Sequence, residues 1–270
     1  MQPPSIKQFR STVKTYFKEN GRDFPWRQTT DPYSILVSEV MLQQTQTYRV
    51  EPKYMAFMKV FPTFESLARA PFSEVLLLWK GLGYNRRALG LQSCAKIVMQ
   101  EHSGVLPKDP IVLKTMPGIG AYTSCAVPTF AYNTPHSFIE TNIRAVFIHH
   151  FFKDRAEVTD KEIMALVEKT VDTKEPRKWY YALMDYGVFI KQNYNPNKKS
   201  AHYTVQSKFE GSNRQVRGLI LQALLDNQAL SFDTLLSIVN RDNQQTSKAL
   251  SQLVTDQLVE VKGEQIFLSK

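Results

Sequence analysis

Leu113-Lys114-Thr115-Met116-Pro117-Gly118-Ile119-Gly120-Ala121-Tyr122-Thr123 reads as the end of one helix, a Pro-Gly-Ile-Gly hairpin and the start of a second helix. Gly118 and Gly120 can adopt positive φ and admit close backbone approach, so amides at the hairpin and at the following helix N-terminus can hold a phosphate. The same four-residue turn also serves as an ordinary tight turn in unrelated folds, and its neighbours decide between the two readings. On both sides the apolar spacing is helical, with segments over Pro32 to Phe61, Ser73 to Trp79, Tyr84 to Gln100 and Tyr122 to Tyr132. No sustained alternation of strands interrupts them, which predicts an all-α domain over residues 1–190.

The apolar rhythm stops between Lys191 and Asn213, where Asn195-Pro196-Asn197-Lys198-Lys199 and Glu210-Gly211-Ser212-Asn213 predict a polar linker over 191–212. Residues 213–270 then show a helix with Val216, Leu219, Ile220 and Leu224 on one face and a second helix capped by Ser231 and ending near Val239. A third runs from about Gln244 to Asp256 with Leu250 and Leu253 inward, and a hairpin turns at Lys262-Gly263-Glu264. Three helices followed by a hairpin predict a small winged-helix-like domain.

The chain has 270 residues, 43% of them hydrophobic, enough for a sizeable core and a second, smaller domain. No run approaches a membrane span, and Met1 to Lys14 lacks the apolar core of a signal peptide, which predicts a cytoplasmic or chromosome-associated protein. Cys94 and Cys125 are the only cysteines, each in an apolar helical stretch, so the expectation is two buried thiols and neither a disulfide framework nor a cysteine-rich metal site. The net charge of +9 suits a polyanionic partner. From Ala201 onward there are 7 Lys and Arg against 7 Asp and Glu, so the whole excess lies in the first 200 residues. A neutral tail favours a packing or partner-binding role for the last domain over DNA binding.

Trp26-Arg27, Asp31-Pro32-Tyr33, the run Ser-Glu-Val-Met-Leu-Gln-Gln-Thr-Gln from Ser38 to Gln46, Phe61-Pro62 and Gly81-Leu82-Gly83-Tyr84 precede the hairpin in a fixed order. Together they resemble the MutY adenine DNA glycosylases of the helix-hairpin-helix (HhH-GPD) superfamily, from about Arg22 to about Pro196. Met41 to Gln46 is the most specific part. The resemblance implies a glycosylase that flips a base out of double-stranded DNA containing a lesion or mispair and hydrolyses its N-glycosidic bond, acting as a monomer. Adenine opposite 8-oxoguanine is the implied target; the alternatives are another damaged or mispaired base and a non-catalytic lesion-binding protein.

Breaking that bond calls for a general acid on the leaving base and a carboxylate beside the cationic sugar. Glu39 matches the family's general acid, and a Glu between Val37 and Met41 in an apolar helix is expected to have a raised pKa. Glu140, eighteen residues after Tyr122, stands where the family has its catalytic Asp; it keeps the charge with one more methylene, and a helix-cap role beside Thr141 is the competing reading. Tyr122 occupies the position of the Schiff-base lysine of bifunctional relatives, so the implied enzyme leaves an abasic site uncut. Gln44 and Tyr84 match residues inserted into the base stack. Arg22, Phe24, Trp26 and Leu42 match positions around the target-base pocket, with Phe24 and Trp26 equally readable as core.

Three departures qualify the match. Tyr181 replaces the Gln or Glu that reads adenine, leaving base identity open. Lys191, Lys198, Ala201 and Ser207 replace the four cysteines of the family's [4Fe-4S] cluster, so no cluster is expected; Lys191 and Lys198 read either as phosphate contacts or as a solvated loop. Relatives can hold a Na+ or K+ ion at the hairpin carbonyls. The tail is also too short for the Nudix-like domain that MutY relatives usually carry.

Overall fold

The computed structural model describes residues 3–269. In chain order its elements are α1 (Ile6–Asn20), α2 (Pro32–Leu42), α3 (Thr47–Val60), α4 (Phe64–Arg69), α5 (Phe72–Trp79), α6 (Arg86–Glu101), α7 (Pro110–Thr115), α8 (Ala121–Tyr132), α9 (Thr141–Phe151), α10 (Asp160–Thr170) and α11 (Pro176–Tyr194). These are followed by α12 (Asn213–Asn227), β1 (Ala229–Ser231), α13 (Phe232–Val239), α14 (Asn243–Thr255), β2 (Val259–Lys262) and β3 (Gln265–Leu268). Among the described residues no helix is long and apolar enough to cross a membrane. The helical segment expected from Pro32 to Phe61 is in fact two helices. Gln44 has φ 55, and a left-handed residue cannot continue a right-handed helix. With no Gly or Pro at that point, the sequence carried no mark of the break.

The chain forms two compact units. The first comprises the N-terminal segment up to Glu39, Pro107–Thr115 and Ile119–Val205. Its α1 is started by Ser5 and Gln8, which form a reciprocal capping box, and it buries Phe9 and Val13. Phe9 meets Phe147, Phe151 and Trp179 with ring centroids 5.2, 4.9 and 6.0 Å away. Full burial of such a side chain is worth about 1.5–3 kcal/mol. The centre of this unit is the packing of α11 on α9. Gly187 permits it, because a Cβ there would lie 2.3 Å from the Asn142 carbonyl oxygen. The first part of 191–212 is built into this unit: α11 continues to Tyr194, a 3-10 turn spans Pro196–Lys199, and Val158 pairs with Ser200 in a parallel bridge.

The second unit comprises Val40–Leu106, Met116–Gly118 and the chain from Gln206 onward. Here α4 lies on α6, and the buried Gln92 amide donates to the carbonyls of Leu67 and Ala70, which α4 leaves without helical partners. The C-terminal part has the order expected of a winged helix, with α12, α13 and α14 beside an antiparallel sheet in the order β1-β3-β2. Ser231 caps α13 through the Thr234 amide. Val216, Ile220, Leu224 and Leu253 are buried, whereas Leu219 and Leu250 are half-buried and Ala249 takes the inward position on α14.

Candidate active site

Glu39 lies in the last turns of α2 with only 6% of its surface exposed. Its one side-chain donor among the described contacts is the Tyr122 hydroxyl, which donates to Oε2 at 2.8 Å. Burial pushes the Glu39 carboxyl up to about 7, reinforced by the charge of Glu140, while the Tyr122 hydrogen bond and Arg27 act in the opposite sense. At neutral pH this carboxyl therefore exists in both forms. Tyr122 is held at the start of α8 with Phe138 edge-on to its ring at 5.5 Å. Burial, then the two neighbouring carboxylates, raise its phenol well above the ordinary value, so it remains a donor.

Glu140 is the N-cap of α9. Its Oε1 accepts from the amides of Asn142 and Ile143 at 2.8 and 2.9 Å, and its Oε2 from Asn142 Nδ2 at 3.2 Å. The helix-cap reading is thus present in the structure, beside a carboxylate close enough to Glu39 to shift it. Burial raises the Glu140 carboxyl, but those amides together with Lys191 and Arg144 favour its ionised form. Lys191 Nζ donates to Asn142 Oδ1 at 3.2 Å, which ties it to this cap. Lys198 is exposed on the 3-10 turn.

The same unit contains an ionic centre that motif reading did not single out. Asp185, 2% exposed on α11, accepts from Arg22 Nε and Nη2 at 2.9 and 2.7 Å and from both terminal nitrogens of Arg27 at 2.8 Å. Burial alone would raise its carboxyl; the two guanidiniums hold it below the usual range. The arginines in turn order the aromatics. Phe24 and Trp26 stack at 5.0 Å, Arg27 lies 4.4 Å over the Tyr181 ring, and Tyr181 stacks on Phe130 at 4.6 Å. Trp26 and Tyr181 are buried and Phe24 half-buried. Burial lifts the Tyr181 phenol to about 12. Arg27, Asn133, Glu175, Arg177, Lys178 and Tyr181 line an open cavity of about 260 Å³.

In the second unit, Gln44 (φ 55, exposed) and Tyr84 (φ 49, 37% exposed) each occupy a left-handed turn. One side chain joins the two turns. Arg87 Nη1 donates to the carbonyls of Val40, Met41 and Gln43 at 2.9, 2.9 and 2.6 Å. Its Nη2 donates to Thr45 Oγ1, Leu82 O and Gly83 O at 3.1, 3.2 and 2.9 Å. This arginine closes the end of α2, whose last carbonyls lack helical partners. Leu42, the last residue of α2, is half-buried. Gly118 has φ 77, which favours glycine, and a Cβ there would press at 3.3 Å on the backbone of Gly90. Gly120 does not take positive φ. It is the N-cap of α8, where an extended conformation is needed, with φ −91 and ψ −178. Nothing lies within 4 Å of the place its Cβ would occupy.

The residues at the four family cluster positions do not fit an iron-sulfur cluster. They offer two amines, a methyl and a hydroxyl, and Lys191 is committed to Asn142. The segment is instead tied by protein hydrogen bonds, with Asn197 Nδ2 donating to Thr141 O at 3.0 Å and Val158 N to Lys199 O at 2.8 Å. Cys94 is a buried free thiol, whereas Cys125 is only half-buried, on the partly open side of α8.

Comparison with known proteins places this geometry. A family model described as HhH-GPD superfamily base excision DNA repair protein matches residues 37–172. The adenine DNA glycosylase of Mycolicibacterium smegmatis is 35% identical over 267 residues, which cover 91% of this chain and 90% of that protein. The short C-terminal part therefore does not set this chain apart from a protein of that name. The thymine/uracil-DNA glycosylase of Methanothermobacter thermautotrophicus is 31% identical over 68% of this chain and 85% of that one. Among solved structures, a thermostable thymine-DNA glycosylase superposes with a TM-score of 0.61 at 27% identity, over 73% of this chain and 96% of the other. The chain belongs to the HhH-GPD superfamily of base excision DNA repair proteins and is a DNA glycosylase with adenine DNA glycosylases among its relatives.

Proposed function

We propose that the protein hydrolyses the N-glycosidic bond of adenine mispaired in duplex DNA, as with 8-oxoguanine opposite, and leaves the strand intact. The supporting observation is the buried Glu39 carboxyl, poised near neutrality and hydrogen-bonded by Tyr122 where a lyase needs an amine. Protonated Glu39 gives its proton to N7 of the extruded base. The bond from N9 to C1′ then breaks, its electron pair leaving with the adenine, and the positive charge on the sugar faces the Glu140 carboxylate. Water adds to C1′ and loses a proton to Glu39, which restores the acid. Arg22, Phe24, Trp26, Leu42 and Tyr181 are assigned to the base pocket. Gln44, Tyr84, Gly118, Gly120, Lys191 and Lys198 are assigned to DNA contact.

Tyr181 favours a second reading, excision of another base. Its ring is held between Arg27 and Phe130, and a phenol cannot make the paired contact by which an amide or carboxyl side chain reads adenine. The thymine-directed relatives give this reading its panel members. Base release should be measured on duplexes bearing A opposite 8-oxoguanine, A opposite G, T opposite G and U opposite G, with and without hot alkali. Release confined to the adenine duplexes, with strand cutting only after alkali, is the expected result. Release confined to T or U selects the second reading, and no release from any duplex refutes both. Cutting without alkali at the rate of base release refutes the monofunctional assignment of Tyr122.

A further inference from the structure

Within the second unit a groove of about 1450 Å³ separates the turns carrying Gln44 and Tyr84 from helix α12. One wall carries Arg49, Lys80, Arg86 and Arg87, and the other carries Arg214 and Arg217. Asp256 is the single carboxylate among the described lining residues, and it accepts from Arg217 at 2.6 Å and lies 3.6 Å from Arg86. A neutral C-terminal part has therefore turned two of its cations toward the groove while most of its acids lie elsewhere. Two further features suit a nucleic acid. Phe209, 60% exposed, lines the same groove as Tyr84 and offers a stacking face. Gly218 also faces the groove, and nothing lies within 4 Å of its missing Cβ, so a backbone can approach closely.

The two walls meet at Tyr84. Its hydroxyl receives hydrogen bonds from Gln206 Nε2 and, at 3.2 Å, from Arg214 Nη1. Arg214 is held by the Ser207 carbonyl at 2.6 Å, yet a guanidinium has five N–H donors and these contacts leave some of them open to the groove. We propose that α12 and the loop before it are the second wall of the DNA-binding groove, with Arg214 contacting the phosphodiester backbone beside the point where Gln44 and Tyr84 enter the base stack. The proposal rests on the DNA-glycosylase reading and extends it to the C-terminal module, which the sequence alone assigned to packing or a partner.

The experiment uses the full chain and two duplex oligonucleotides, one undamaged and one with A opposite 8-oxoguanine, with Kd measured across a salt series. Arg214→Gln should lower the slope of log Kd against log salt by about 0.9, the loss of one phosphate contact, and weaken both duplexes alike. Arg214→Lys should restore the slope, and Lys248→Gln, at an exposed position outside the groove lining, should leave it unchanged. Gly218→Glu should fold, since it adds a better helix former in open space, and should weaken binding at least about tenfold at low salt through repulsion. An unchanged slope in Arg214→Gln, or wild-type affinity in Gly218→Glu, overturns the proposal and returns the module to a protein-facing role. Base release by the wild type is scored separately, so a failure of the glycosylase reading is distinguishable from a failure of this one.

Discussion

At Glu39 one burial event supplies both an acid and a liability. Glu39→Gln should abolish base release while leaving lesion-DNA affinity nearly intact, because the amide keeps the shape and has no proton to give. In the wild type, kcat/KM should fall about tenfold per pH unit above about 7, as the acid form is lost. A profile flat to pH 9 would remove Glu39 from the role. The same shift makes a stability statement. The folded-state pKa lies above the unfolded one, so the contribution is complete below the ordinary glutamate value and is lost as pH rises through about 7. Glu39→Gln should therefore melt higher than wild type at pH 8 and match it near pH 4. Glu140 separates differently. Glu140→Gln keeps an oxygen for the Asn142 and Ile143 amides but loses the charge, so turnover should drop by about a hundredfold with little change in melting temperature. Glu140→Ala should also forfeit the cap, about 1 kcal/mol. Full activity in Glu140→Gln would make the residue a cap alone.

Between elements, Arg87 is where a small chemical change should have the widest effect. Its two terminal nitrogens hold the end of α2 and the Gly-Leu-Gly turn in one fork. A lysine cannot reproduce that planar arrangement. Arg87→Lys should lower the affinity gap between lesion and undamaged duplex, with the intrinsic release rate at saturating enzyme less affected. An unchanged gap would show that the turns hold their shape unaided. This residue also shows what sequence reading can reach. Glu39 and the hairpin were legible through the motifs around them, since a lone acid in an apolar run also suits a solvated face and Pro-Gly-Ile-Gly alone also suits an ordinary tight turn. Arg87 gave no signal, since five of its six acceptors across the two turns are backbone carbonyls, three of them more than 40 positions earlier, and a carbonyl's place is not written in side chains. Asp185 did leave a mark, a single acid in the apolar stretch of α11, but no motif accompanied it. Its arginines lie more than 150 positions away, beyond any local pattern. The break after α2 was invisible for a third reason, being made by a glutamine.

For the whole chain, charge and metal content are the properties to measure. The excess of 27 cations over 18 acids in the first 200 residues matches the DNA-facing assignment of that part, while averaging over the last 70 residues concealed the arginines grouped on α12. Purified protein is expected to be colourless, with no visible absorbance band and no stoichiometric iron by elemental analysis. About four iron atoms per chain would contradict the reading of Lys191, Lys198, Ala201 and Ser207. The ties that α9 and α11 do possess lead to another consequence. Because Gly187 sits against the Asn142 carbonyl with no room for a methyl group, the helix carrying Asp185 and the helix capped by Glu140 are gauged against each other by the absence of a single carbon. In a saturation library selected for repair in cells, position 187 should consequently tolerate no replacement, although it touches neither base nor phosphate. A screen that ranked residues by distance from the chemistry would overlook it.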